Sequence, residues 1–444
     1  MFVRIFCVLL LLLGGVRGEM AEPAKKKLQI FILAGQSNMV GHSYYITIPT
    51  LLTAKEPEVR KLANLVFKKD AKISRAVIED LIATRMKRDE LSKGLRKKEI
   101  KAAAHEAAQA EIKKLQAQVD DKIQNIKDTF VVSKQVYITS IADGNKGSGP
   151  LTVGYGGNRD KIGPEFGFGL SMAQKLDAPI LIIKTSWGGK SLNYNFRPPS
   201  AGPYELNEKE KAGDKAAEIK KNASLNWRMM NEAVHNVLKD LKKHHPAYDA
   251  AVGYDMAGFV WFQGFNDQFS DEFRNNYRDN MIHFVKDVRK EYKTANMPFV
   301  IGVLGTNMTK EGVDKNAVSV AQREAAAAPE FKGKVASVES YKVYDLEARK
   351  VYDSGWAKHF AEWCVVGSDR PYHYLGSGKF FVRLGDAFAN AMIGLIENRK
   401  KPATGKIAVK NGEKIAFLGD SITAAGRRPG GYCQLVLAAI VLSL

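Results

Sequence analysis

The stretch LQIFILAGQSNM, residues 28–39, decides the fold of this chain. Residues 28–35 are mostly apolar and end in Gly35, which is typical of a buried strand that runs into a tight turn. Ser37 stands two positions after that glycine. A serine on a sharp turn between a strand and a helix is exposed at the edge of a sheet, where its hydroxyl can attack a substrate. The stretch therefore makes Ser37 a candidate nucleophile.

Met39 separates this turn from the elbow of the α/β-hydrolases. That elbow, Gly-x-Ser-x-Gly, needs glycine two residues after the serine, and Met39 holds that position here. Either the chain belongs to another class of serine hydrolase, or the turn is only structural.

Apolar strands recur after residues 131–139 and alternate with helical segments. The predicted strands are residues 178–186, 256–264, 297–305 and 334–340. Alternation of strands and helices predicts an α/β fold with a parallel sheet and helices on both faces. Ligands of such sheets bind beyond the carboxyl ends of the strands, so the residues at those ends are the candidates for a site.

Residues 51–127 differ from the rest of the chain. They are rich in Ala, Lys, Glu, Leu and Gln, with apolar residues near helical spacing, as at Ile112, Leu115 and Val119. We expect an inserted helical hairpin with its turn near Gly94, and a dimerising coiled coil is the alternative. The 19 Lys and Arg residues of this segment are interleaved with 12 Asp and Glu. This pattern is typical of a solvated helix and argues against nucleic acid as a partner, despite the net charge of +19. Attraction to an anionic envelope surface or acidic polysaccharide stays open.

The two ends predict export and a domain boundary. Residues 1–18 combine Arg4 with an apolar run and small residues, which predicts a signal peptide and a secreted or periplasmic protein. Of the cysteines, Cys364 and Cys433 would then remain, either paired or as free thiols. Residues 396–412 are polar and contain proline and glycine, as linkers do.

Three further features are candidates for a site. Gly188 and Gly189 follow the strand 178–186, and paired glycines let backbone N–H groups approach a ligand. Gln263 ends the strand 256–264 and carries an amide that can donate to an oxyanion. His373 lies in a loop before the last helix, with Asp369 near it in sequence, and a carboxylate fixes the tautomer of a catalytic histidine. His42 is too close in sequence to Ser37 for the usual arrangement of nucleophile and base.

The blocks GQSNM (35–39), SWGG (186–189) and WFQG (261–264), followed by a late histidine before a glycine and a helix, resemble the SGNH hydrolase superfamily. They are most similar to its sialate O-acetylesterase-like carbohydrate esterases. The resemblance covers roughly residues 28–395. It implies the SGNH hydrolase fold, a flavodoxin-like three-layer α/β/α domain with about five parallel strands. It also implies cleavage of acetyl esters on carbohydrate without a metal or cofactor.

The same resemblance implies roles for particular residues. Ser37 would attack the ester carbonyl, and His373 would take its proton. The oxyanion would be held by the N–H of Ser37, the N–H of Gly189 or Gly188, and the side chain of Gln263. A non-catalytic glycan-binding module on an esterase scaffold is the alternative.

Several positions depart from the family pattern or extend it. The family commonly has an acidic residue three positions before the histidine, where this chain has Arg370, so Asp369 is the expected triad carboxylate. Phe265 stands where the family often has glutamate. Two explanations are open: Asp267 takes the role of that glutamate, or the substrate pocket of this protein differs. Residues 154–167 resemble the Gly-Pro-Glu block of the family and suit a tight loop, with Arg159 as a candidate sugar contact.

Residues 413–444 contain Gly-Asp-Ser-Ile at 419–422 and resemble the start of a second SGNH domain of the GDSL type. No oxyanion block or histidine follows, so Ser421 is not expected to form a site of its own. A truncated gene or gene model is the expected explanation.

Overall fold

The computed structural model describes residues 25–400. Its strands are β1 (Leu28–Gly35), β2 (Ser43–Tyr44), β3 (Val136–Ala142), β4 (Asn145–Pro150), β5 (Lys161–Ile162), β6 (Ile180–Ser186), β7 (Tyr254–Phe262), β8 (Phe299–Val303) and β9 (Val335–Glu339). Its α-helices are α1 (Ser37–Val40), α2 (Pro57–Lys61), α3 (Ala63–Val66), α4 (Arg75–Arg96), α5 (His105–Asp128), α6 (Glu165–Lys175), α7 (Glu208–Ala212), α8 (Ala216–Asn222), α9 (Leu225–Leu238), α10 (Leu241–His244), α11 (Asp271–Glu291), α12 (Lys310–Asp314), α13 (Ala317–Ala326), α14 (Leu346–Asp353), α15 (Phe360–Val366) and α16 (Gly378–Lys400).

The central sheet has seven strands in the order β4-β3-β6-β1-β7-β8-β9. All neighbours pair in parallel except β3 and β4, which form an antiparallel hairpin. The α/β class with a mostly parallel sheet is thus confirmed, but the expectation of about five parallel strands falls short by one, because β3 also pairs in parallel with β6. The order β6-β1-β7-β8-β9 follows the flavodoxin-like pattern, which the β3-β4 hairpin extends at one edge.

Alternate side chains of β1 enter two separate cores. Ile30 and Ile32 pack on one face, in a cluster with residues of α9 and α11, while Phe31 and Leu33 pack on the other face, in a cluster with residues of α6 and α16. Side chains of successive strand residues point to opposite faces, so a strand covered on both faces is apolar at nearly every position. The sheet is therefore the middle layer of three.

The helical insertion forms a hairpin of α4 and α5. Helix α4 continues past Gly94 to Arg96, and the N–H of Glu99 donates to the Gly94 carbonyl as the chain leaves the helix. The turn therefore follows Gly94, and Lys98 adopts a positive φ of 56° within it. Residues 51–74, which we included in the hairpin, instead form part of a 3-10 helix, the short helices α2 and α3 and connecting segments. Leu81 is fully buried, so the hairpin packs on the domain.

The last helix, α16, extends to Lys400 and so overlaps the first residues of the predicted linker. The predicted signal peptide, the remainder of the linker, the second GDSL-type segment and Cys433 lie outside the described residues. Cys364 forms no disulfide among residues 25–400. Within that range, no helix combines the length and apolar character needed to cross a membrane.

Candidate active site

Ser37 is the first residue of α1, directly beyond the carboxyl end of β1. The turn needs glycine at position 35, because a Cβ there would lie 2.1 Å from the carbonyl oxygen of Phe262 on β7. Ser37 is 9% exposed, and among the described residues nothing hydrogen-bonds its hydroxyl or its backbone N–H. At a helix N-terminus the first N–H groups lack helical partners and favour negative charge. The position suits a nucleophile that develops an oxyanion beside it.

The loop that contains His373 is hydrogen-bonded to Asn38, the residue after Ser37. Asn38 Nδ2 donates to the carbonyl oxygen of Tyr372 over 3.0 Å. This bond connects α1 to the loop at residues 371–376, although 334 positions separate the two residues in sequence. The structure thus brings Ser37 and the predicted base into one neighbourhood, without a hydrogen bond between their side chains. Catalytic hydrogen bonds are often long in unliganded enzymes and tighten with substrate.

Asp369 faces Nδ1 of His373, which is the nitrogen that the carboxylate of a catalytic triad contacts. His373 Nδ1 lies 3.2 Å from Asp369 Oδ1, in an orientation that falls short of a hydrogen bond. The same oxygen accepts the N–H of Arg370 at 2.7 Å. Burial raises the pKa of Asp369, but the contacts with His373 and with the Arg370 N–H outweigh it, so this pKa lies below its ordinary value. Asp369 is therefore charged at neutral pH.

His42, which we excluded on sequence grounds, lies at the centre of this cluster. Its ring stacks on the ring of His373, with centroids 4.1 Å apart and planes 4° apart. His42 Nδ1 lies 3.7 Å from Asp369 Oδ2. Burial, the neighbouring His373 and the Lys161 ammonium lower the pKa of His42 to about 4, against the effect of Asp369. Its position directly after Gly41, close to Ser37 in sequence, was the available signal for a place in this cluster.

The geometry of the cluster does not suit a metal ion. Nitrogens of the two imidazoles and an oxygen of Asp369 lie within 4.8 Å of one another. An imidazole binds a metal in the plane of its ring, and two stacked parallel rings cannot both place one ion in their planes. The Lys161 ammonium also lies 3.8 Å from Asp369 Oδ2, where it repels a further cation.

The glycine pair after β6 lies beside Ser37. A Cβ on Gly188 would come within 4.0 Å of Ser37 Cβ. The N–H of Gly188 already donates to Asp143 Oδ2 at 2.6 Å. Gly189 has a φ of 66° and open space where a Cβ would stand, and its N–H has no protein partner in residues 25–400. Of the two alternatives for the oxyanion donor, Gly189 is therefore the one with a free N–H.

Gln263 does not have the free side chain that we expected. Its Nε2 donates to Gln36 Oε1 at 3.1 Å, to the Lys190 carbonyl at 3.0 Å and to Asp267 Oδ2 at 2.5 Å. Its Oε1 accepts the hydroxyl of Tyr277 at 3.0 Å, which fixes the orientation of the amide. Both amide hydrogens are therefore engaged within the protein, where Gln263 connects neighbouring strand ends, and its role as oxyanion donor stays a prediction.

Asp267 anchors this connector. Its carboxylate accepts the N–H groups of Leu192 and Asn193 as well as the Gln263 amide. Burial raises the pKa of Asp267 to about 6, although these hydrogen bonds oppose the rise. Asp267 thus supports the site through Gln263, one of the two alternatives that the sequence left open.

A buried ion pair is hydrogen-bonded to the last residue of α1. Lys184 Nζ lies 2.8 Å from Glu165 Oε2, and neither side chain is exposed. The same ammonium donates to the carbonyls of Val40 and Tyr155, each at 2.8 Å. The Gly-Pro-Glu block therefore shapes the backbone around the nucleophile, whereas Arg159 is exposed.

A groove of about 430 Å³ opens beside Asp369. Its walls include Trp356 and Trp363 as well as Arg85 and Arg370, and the Arg370 guanidinium lies 5.0 Å from the centre of the Trp356 ring. Arg85 belongs to α4, so the inserted hairpin contributes to the wall. Flat aromatic faces combined with hydrogen-bond donors suit a ligand with both apolar and polar faces.

Residues 132–349 match the family described as carbohydrate esterase, sialic acid-specific acetylesterase. No curated protein matches this chain. Three similar solved structures are a protein from Arabidopsis thaliana (13% identity, TM-score 0.41, 83% of this chain and 98% of the other), a carbohydrate acetylesterase from Xanthomonas citri (11%, 0.35, 71% and 51%) and NanS (10%, 0.33, 72% and 79%).

These structural similarities are weak, so the family match is the finding that bears on the resemblance read from the sequence. The matched range includes the glycine pair and Gln263 but neither Ser37 nor His373, whose roles stay predictions. The resemblance to the carbohydrate esterases is confirmed by this match of residues 132–349 to their sialic acid-specific acetylesterase family.

Proposed function

We propose that this protein removes acetyl groups from carbohydrate by an acyl-enzyme mechanism in which Ser37 is the nucleophile and His373 the base. The observation that carries the proposal is the meeting of three parts of the chain at one sheet edge. Ser37 stands at a helix N-terminus, Asn38 binds the loop of His373, and Asp369 lies 3.2 Å from His373 Nδ1.

The first step uses the two nitrogens of His373 differently. Nδ1 faces Asp369, so Nε2 is the nitrogen left to take the proton as Ser37 Oγ attacks the acetyl carbonyl. The charged Asp369 stabilises the imidazolium that forms. The oxyanion is held by the free N–H groups of Ser37 and Gly189, which are fixed in place before the reaction.

The second half of the reaction restores the enzyme. The imidazolium of His373 gives its proton to the departing sugar hydroxyl, which leaves an acetyl group on Ser37. Water, activated by the same histidine, then releases acetate.

Acetate release from an aryl acetate and from acetylated oligosaccharide tests the proposal. We expect Ser37→Ala to lower kcat by about 10³-fold or more and to abolish labelling by a fluorophosphonate, because the nucleophile acts as a unit with its base. Ser92→Ala, which removes a hydroxyl that bonds only the Arg88 carbonyl on α4, is the matched control and should behave as the parent protein. Parent rates of acetate release in Ser37→Ala would refute the mechanism.

A further inference from the structure

The backbone forces His42 into its position against the base. Helix α1 ends at Gly41, which has a φ of 91°, and a Cβ there would lie 2.3 Å from Gly163 Cα. A side chain at position 41 would clash with Gly163, so only glycine fits there. The next residue, His42, places its ring over the ring of His373. The two ring centroids are 4.1 Å apart and the rings nearly parallel, so His42 stacks on one face of His373.

Burial and the charges around His42 lower its pKa, so the ring is neutral at neutral pH. Its neighbours from other elements are Lys161 of β5, the paired Lys184 of β6, and His373 and Asp369 of the loop before α16. Two of these groups are cations. Burial acts in the same direction and is the largest cause of the low pKa of His42, about 4.

We propose that His42 is a positioning residue that fixes the ring of His373 by stacking on it and by contacting the same Asp369 carboxylate. This inference rests on the proposed function, in which His373 is the base. His373 Nδ1 faces Asp369 without the alignment of a hydrogen bond, so that contact alone does not fix the ring. Stacking removes the rotation that is left and keeps Nε2 available for the proton of Ser37.

The stacked face also favours the charged intermediate. When His373 takes the proton, its ring becomes a cation held against the π-face of a neutral aromatic ring, which is an attractive arrangement. The attraction exists only while the proton is on His373, so it acts on the rate of the chemical step and not on substrate binding.

Two substitutions separate stacking from other roles of His42. We expect His42→Ala to lower kcat about 10-fold to 100-fold with KM within about 2-fold, a part of the contribution that general bases make. His42→Phe keeps an aromatic face over His373 and should recover most of that loss. The rate at which a fluorophosphonate labels Ser37 should fall and recover in parallel. His283→Phe, on α11 and bonded to Ser200 over 2.8 Å, is the matched control and should keep the parent kcat.

Other results would overturn the inference. Equal losses of kcat in His42→Ala and His42→Phe, accompanied by equal losses of thermal stability, would mean that His42 is only structural. A parent kcat in His42→Ala, or a change confined to KM, would also exclude the role. If Ser37→Ala is inactive while His42→Ala has parent kinetics, only this inference fails. If Ser37→Ala retains activity, the proposed function fails first.

Discussion

The buried ion pair of Lys184 and Glu165, next to the helix that begins with Ser37, gives the most demanding prediction. Lys184 and Glu165 are both fully buried, and the Lys184 ammonium makes three hydrogen bonds of 2.8 Å, to Glu165, Val40 and Tyr155. Val40 is the last residue of α1, the helix that begins with Ser37. We expect Lys184→Met to destabilise the fold and to lower esterase kcat by loosening that helix.

The expected loss of unfolding free energy depends on which buried groups each substitution leaves without their partners. Lys184→Met leaves the Glu165 carboxylate buried without a counter-ion, although its Oε1 still accepts the N–H of Gly163 at 2.9 Å, and this costs about 3–5 kcal/mol of unfolding free energy. Glu165→Gln leaves an unpaired ammonium and costs a similar amount. The double variant buries no charge, so its cost is confined to the two carbonyls that lose their donor, about 2–4 kcal/mol together. Its loss should therefore be at least about 2 kcal/mol smaller than the sum of the single losses, which is about 6–10 kcal/mol.

Urea unfolding followed by tryptophan fluorescence measures these values. Lys310→Met is the matched control, because the Lys310 to Asp314 pair is exposed on α12, and exposed pairs contribute about 0–1 kcal/mol. A loss below about 1 kcal/mol in Lys184→Met would refute the reasoning. So would additive losses in the double variant.

Two further predictions concern the strand ends. Because burial raises the pKa of Asp267 from 3.8 to about 6, the folded state holds the proton more tightly than the unfolded state. This group should therefore contribute about 3 kcal/mol of stability below pH 3.8 that is lost as the pH rises through about 6, and Asp267→Asn should remove that slope from unfolding free energies measured between pH 4 and about 8. Gly35→Ala should cost at least about 3 kcal/mol in the same assay, because the new Cβ meets the backbone oxygen of Phe262 at 2.1 Å. Gly394→Ala, on α16 with no atom within 4 Å of the new Cβ, should instead stabilise by about 0.5–1 kcal/mol, and a loss there comparable to that of Gly35→Ala would contradict the explanation.

Local patterns were sufficient for the fold class and for most of the strands. Four of the five predicted strands are apolar on both faces and therefore conspicuous, whereas the edge strand β9 is buried mainly at Val335. Parallel pairing places the carboxyl ends of all five together. Gly35 and Ser186 pair directly in the sheet, so the blocks that follow them had to meet. Strand β4 had no such signal, because its sequence NKGSGP is poor in strand formers, and it extends only because it pairs with β3.

The sequence itself made Ser37 the candidate nucleophile, since a serine after a buried strand and a glycine turn has a local signature. The residues around it were decided by tertiary structure. The amide of Gln263 is engaged by groups from three other parts of the chain, and His42 meets His373 across more than 300 residues of sequence. Hydrogen bonds and ring stacking depend on orientation at distances of 3–4 Å, and no pattern along the chain specifies that orientation until the elements are packed.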